Sequence, residues 1–93
     1  MIKLRYFASL RESVGSDAEE LDLRELPANA NSANPGTTVA AVRTHLAQRG
    51  STWADAFAED RPILAAVNQD TARPETTVKD GDELAFFPPV TGG

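Results

Sequence analysis

The groups best suited to chemistry in this chain stand together at its C-terminal end, where Gly92 and Gly93 follow Pro88-Pro89-Val90-Thr91. Neither glycine carries a Cβ, so the tip is as thin as a peptide can be and can thread a channel closed to any other pair. The prolines favour an extended polyproline II path, which loses little further entropy when a partner grips it. At ~3.3 Å per residue, the stretch 88–93 would carry the terminal carboxyl up to ~20 Å from the body. The handle so presented is the main-chain carboxylate of Gly93. With an ordinary pKa near ~3.5 it is ionised at neutral pH, and a carboxylate is a poor acyl donor until it is activated.

The rest of the chain offers few rivals. It has no Cys and a single His, His45, which removes disulfides, thiol nucleophiles, zinc clusters and any side chain able to hold a persulfide. There is no P-loop and no cluster of metal ligands, so no cofactor or metal is expected on this chain itself. His45 reads as a solvated residue on the polar side of a helix. The formal charge is −5, with nine Lys and Arg scattered along the sequence. Nucleic acid and anionic membrane surfaces are therefore poor partners, and a basic groove on a larger protein is a better one. The opening Met1-Ile2-Lys3-Leu4 lacks the apolar core of a secretion signal, and no apolar stretch nears ~20 residues. A cytoplasmic protein is the expectation.

The elements that must hold the tail can be read from periodicity. From Met1 to Phe7, Ile2, Leu4 and Tyr6 alternate with Lys3, Arg5 and Phe7, as in a half-buried strand. Phe7 shares its face with two cations, so it is either covered by another element or part of an apolar contact site. Ala8 to Val14 reads as a short helical segment stopped by Gly15. Leu21 and Leu23, split by Asp22, suggest a second strand forming a hairpin with the first. From Arg24 to Gly36 the pattern dissolves into small and polar residues, read as a mobile surface loop inside one domain. Thr37 or Thr38 caps a helix bearing Val39, Val42 and Leu46 on one stripe, with Gly50 as the stop. A second short helical segment carries Trp53 and Phe57 four apart, an aromatic pair best explained as core filling.

The run Ile63 to Val67 lacks alternation and suggests a central strand covered on both faces, or nearly so. Asn68-Gln69-Asp70 reads as a turn, Pro74 to Thr77 as a crossing loop, and Gly81 supplies the positive φ of a tight reversal. In the last strand, Leu84 and Phe86 share one face, and Ala85 and Phe87 the other. Neither Pro88 nor Pro89 can donate to a ladder, so the strand ends at Phe87. The order β-β-α-(α)-β-β predicts an α+β roll, a mixed sheet with one main helix across a single face. Residues 1–87 form the body, and the extended tail 88–93 leaves a central strand.

The stretch Asp80-Gly81-Asp82-Glu83-Leu84-Ala85-Phe86-Phe87-Pro88-Pro89-Val90-Thr91-Gly92-Gly93 resembles the ending of the small, sulfur-carrying subunits of molybdopterin synthases, a ubiquitin-like β-grasp family. Upstream, Phe7-Ala8 with Arg11-Glu12 and Val14-Gly15, the Thr37-Thr38-Val39 helix start and Leu64-Ala65-Ala66-Val67-Asn68 are similar too. The resemblance implies that an E1-like adenylyltransferase, using ATP and Mg²⁺, adenylates Gly93. A sulfurtransferase bearing a persulfide then supplies sulfur, leaving a thiocarboxylate. It further implies that the loaded tail enters a basic pocket of a large subunit, within a heterotetramer, and that its sulfur builds the dithiolene from cyclic pyranopterin monophosphate. The pocket supplies the catalysis, and this subunit donates the sulfur.

Roles follow from the resemblance for particular residues. Gly93 is the acyl carrier and Gly92 its steric clearance. Val90 and Thr91 seat the tail or merely space it, beyond the Pro88-Pro89 stalk. Phe7 and Phe87 would form an apolar patch docking on both protein partners, with core burial the rival for Phe87. Arg11 and Arg73 would meet partner carboxylates or stay solvated. The acidic run Asp80, Asp82 and Glu83 is explained by turn chemistry. Two other destinations share the chemistry: sulfur transfer for thiamine or tRNA thiolation, and conjugation of a ubiquitin-like modifier to lysines through Gly93.

Overall fold

The computed structural model describes residues 1–22, 26, 37–58 and 60–89. The expected loop over 24–36, apart from Leu26, and the tail residues Val90, Thr91, Gly92 and Gly93 lie outside the described residues. The elements are β1 (Ile2–Tyr6), α1 (Ala8–Val14), β2 (Ala18–Leu21), β3 (Thr37–Thr38), α2 (Val39–Ala47), α3 (Ser51–Ala56), β4 (Leu64–Val67), β5 (Asp70–Ala72), β6 (Thr77–Val78) and β7 (Glu83–Phe87).

Five strands form one mixed sheet in the order β2-β1-β7-β4-β5. The first and last strands, β1 and β7, run parallel at its centre, with Leu4 opposite Leu84 and Tyr6 opposite Phe86. The other pairings are antiparallel. A two-stranded ladder, β3 with β6, closes beside the main sheet. This is the β-grasp arrangement, α+β, and it places the strand leading to the tail between two partners.

One face of the sheet is dry. Alternation sends Ile2, Leu4, Tyr6, Leu84 and Phe86 inward, where they meet Val39, Val42 and Leu46 of α2 and Ala56 and Phe57 at the end of α3. Rings order this core: Phe57 meets Phe86 edge-on at 5.3 Å and Tyr6 at 6.1 Å, and Trp53 stacks on Phe57 at 6.0 Å. Such pairs add roughly 0.5–1.5 kcal/mol each beyond area burial. The helix start is built as the sequence suggests, with the Thr38 hydroxyl accepting from the Ala41 N–H at 3.1 Å. Gly50, expected as the stop of α2, instead stands before α3 at φ 144°. Helix α2 ends earlier, at Ala47.

Other departures are local. The second strand is Ala18–Leu21 rather than one centred on Leu21 and Leu23, and Leu23 lies outside the described residues. Leu26, inside the segment expected to be a surface loop, is buried in the core. Asn68 and Gln69, both at positive φ, form a two-residue reversal, and Asp70 already belongs to β5. The strand β4 is not covered on both faces: Leu64 is 43% exposed. Its neighbours β7 and β5 satisfy its backbone, but no helix lies over its outer side chains.

Candidate functional site

The site begins at the end of β7, from which Pro88 and Pro89 continue, both half-buried against the body. Their side chains have not yet left the surface at that point, a difference from a stalk that departs at once. Strand β7 alternates Leu84 and Phe86 into the core with Glu83, Ala85 and Phe87 toward the uncovered face. Register then decides what surrounds Phe87. On β4, Leu64 lies opposite Phe87 and Ala66 opposite Ala85. On β1, Arg5 lies opposite Ala85, and the chain continues to Phe7, whose N–H donates to the Phe86 carbonyl at 3.2 Å.

Phe7 and Phe87 thus come together on the open face, along a shallow depression of about 450 Å³ that Ala66, Ala85 and Thr71 also line. Phe7 is 43% exposed. The Arg5 guanidinium sits 5.6 Å from the centre of its ring, a cation–π contact that holds the ring up against the face. Ala8 turns the chain into α1 at φ 53°, a left-handed conformation that alanine rarely adopts. That turn separates Phe7 from the helix and leaves it with the strand. Leu64 completes the apolar patch. Sequence reasoning missed it, because the unbroken run Ile63 to Val67 conceals which residue faces out, and only its pairing with Phe87 reveals the side.

Of the other expected site residues, Arg11 is exposed on α1 and does not line the depression beside Phe7 and Phe87. Arg73 is exposed just beyond β5. Gly92, Gly93, Val90 and Thr91 lie outside the described residues. The acidic run builds its turn: the Lys79 N–H donates to Asp82 Oδ2 at 2.8 Å, and Gly81 sits at φ 89°. Asn68 locks that turn to β4, donating from Nδ2 to Asp82 Oδ1 at 3.1 Å and accepting the Glu83 N–H at 3.0 Å. Asp80 pairs with the N-terminal amine.

One polar cluster interrupts the core side. The buried Tyr6 hydroxyl donates to Glu19 Oε2 at 2.9 Å, and Arg49 Nη1 donates to the same oxygen at 2.8 Å. The Arg49 guanidinium also lies 4.8 Å from the Trp53 ring centre. Burial works to raise the Glu19 carboxyl, but the hydrogen bonds from Arg49 and Tyr6 and the positive charges of Arg49 and His45 outweigh it and hold it below its ordinary value. Tyr6 is pushed up, first by burial and then by Glu19. The cluster ties β1 and β2 to the turn between α2 and α3. Among the described residues no group of three His, Cys, Asp or Glu could hold a metal ion, and no helix is long and apolar enough to cross a membrane.

The ThiS family profile matches residues 4–93, nearly the whole chain. The chain belongs to the ThiS family. This ThiS-family chain is 46% identical over 93 residues to the "Molybdopterin synthase sulfur carrier subunit" of Escherichia coli strain K12, covering all of both chains. It is 44% identical, again over all of both, to the protein of the same name from Haemophilus influenzae. Among solved structures it is similar to the putative molybdopterin converting factor, subunit 1, from Pyrococcus furiosus. That likeness has a TM-score of 0.70 at 28% identity and covers 96% of this chain and 97% of the other. The ubiquitin-like β-grasp architecture is common to both.

Proposed function

We propose that this chain is the sulfur carrier subunit of a molybdopterin synthase, with Gly93 as the residue that bears the sulfur. The observation that carries the reading is the full-length identity of 46% to a protein of that name. The central place of β7 supports it, because Pro88 and Pro89, the first residues of the tail, continue from the strand that carries Phe87 of the Phe7, Leu64 and Phe87 patch. A partner docked on that patch has the tail within reach. The buried body contributes rigidity and no reacting group.

In this reading the Gly93 carboxylate attacks the α-phosphorus of ATP on an E1-like adenylyltransferase, and pyrophosphate leaves. The acyl-adenylate is the activated carbonyl that the free carboxylate is not. The terminal sulfur of a persulfide on the sulfurtransferase attacks the acyl carbon and AMP leaves, giving an acyl disulfide. A thiol then cleaves its S–S bond, leaving a thiocarboxylate at Gly93 and a disulfide on the donor side. The loaded tail then enters the large subunit, where its sulfur bonds to cyclic pyranopterin monophosphate and water cleaves the acyl–sulfur bond, freeing the Gly93 carboxylate, and two rounds form the dithiolene. ATP and Mg²⁺ are bound by the activating enzyme. Pro88 and Pro89 limit the conformations of the tail, while Gly92 and Gly93 let the reacting carbonyl approach both sites.

Intact-mass analysis after incubation with the activating enzyme, ATP and a sulfur donor tests the reading. Replacement of one terminal oxygen by sulfur is expected, followed by molybdopterin formation once the large subunit and pterin precursor are added. Sulfur loading without molybdopterin formation would assign the chain to another acceptor, and lysine conjugates in place of thiocarboxylate would make it a modifier.

A further inference from the structure

The helix side of the sheet carries a second concave surface. Helix α2 leaves the outer end of β4 and β5 uncovered, and a groove of about 430 Å³ opens there, within the size range of binding pockets. Its floor is apolar: Val39, Ile63, Ala65, Ala72 and Phe86. Its rim is cationic. Arg43 is fixed across one side, its Nε donating to the Phe57 carbonyl at 3.2 Å and its Nη2 to the carbonyls of Ala58 and Arg61. Arg73 stands on the other side, exposed, and among the described residues its guanidinium meets no carboxylate. No Asp or Glu among the described residues lines the groove, although the chain as a whole carries −5. An apolar trough with a positive edge selects an occupant that is itself apolar and negative.

Two features favour a peptide over a small molecule. The groove runs beside β5, an edge of the sheet, whose outward N–H and C=O groups can pair with an extended chain. It also borders Leu64, which belongs to the open-face patch as well, so one partner can grip both surfaces around the same sheet end. We propose that this groove binds an extended acidic-aliphatic segment of a partner protein, its aliphatic side chain on the Val39–Phe86 floor and its carboxylate on Arg73. The assignment does not depend on the sulfur-carrier reading.

The test is an amide NMR titration of the full chain with the acetylated, amidated peptide Glu-Ile-Leu-Glu. Shifts at Ala40, Thr44, Ala65 and Ala72 are expected, with Lys3 and Arg5 on the other face unmoved. Arg73→Glu should weaken binding by up to about fivefold, the most that one exposed ion pair gives, and should favour the peptide Lys-Ile-Leu-Lys instead. Since Arg73 is exposed, its thermal midpoint should match the parent. The proposal is overturned by an absence of shifts at millimolar peptide, by equal binding of both peptides to the parent chain, or by binding of octanoate alone.

Discussion

Phe86 and Phe87 are adjacent, chemically identical, and assigned opposite tasks by the pleat of β7. Phe86 is 1% exposed and meets the Phe57 ring edge-on. Replacing it by alanine removes the ring and leaves a void between β1, β4 and α3, which costs about 3–5 kcal/mol. A chain of 93 residues has a total stability of roughly 5–14 kcal/mol, so the loss is between a fifth and nearly all of it. The melting midpoint should fall by roughly 12–40 °C. Phe87 is half-buried on the open face, and Phe87→Ala should cost only about 1 kcal/mol, half the value of a fully buried ring. Binding should reverse the order. If Phe87 anchors a partner, its loss weakens docking by roughly 30-fold, the effect of a ~2 kcal/mol hot spot. Urea denaturation followed by Trp53 fluorescence gives the stabilities, and calorimetric titration with the large subunit gives the affinities. Equal destabilisation by the two substitutions would show that the strand faces are misassigned, and undiminished affinity of Phe87→Ala would remove the patch from the docking surface.

Three further outcomes are expected. Thr37 is 1% exposed and its hydroxyl has no hydrogen-bond partner among the described residues, so Thr37→Val should stabilise the fold by about 1 kcal/mol in the same denaturation assay. Because the Glu19 carboxyl is held below its ordinary value, its stabilising contribution is complete above the unfolded-state pKa and is lost as pH falls through the lower folded-state one. Glu19→Gln should therefore flatten the acid limb of a stability–pH curve, and an unchanged limb would discount the Tyr6–Glu19–Arg49 cluster. One alanine added after Gly93 should abolish thiocarboxylate formation in the intact-mass assay, and sulfur loading of the unprocessed extended chain would refute the role of Gly93.

Much of the scaffold was legible because its signals are local. Alternation in residues 2–7 and 83–87 marks both central strands, Pro88 marks where the second must stop, and Val39, Val42 and Leu46 mark the buried stripe of α2. What escaped depends on partners distant in sequence. The ladder of Thr37-Thr38 with Thr77-Val78 is two residues long on each side and leaves no period to detect. The outward face of Leu64 follows from its register with Phe87, and the burial of Leu26 from a core that its own neighbours do not announce. Arg43 lies off the Val39, Val42 and Leu46 stripe, and its place at one side of a groove comes from bonds to carbonyls 14 to 18 positions away.

The flanking of β7 on both sides has a mechanical consequence. A pull on the C-terminal end is directed along a strand held by β1 on one side and β4 on the other, so the two rows of hydrogen bonds are loaded in shear rather than peeled one at a time. Rupture then demands that many bonds yield together. A pull on that end is therefore resisted by both rows at once, and the body behind it keeps its shape.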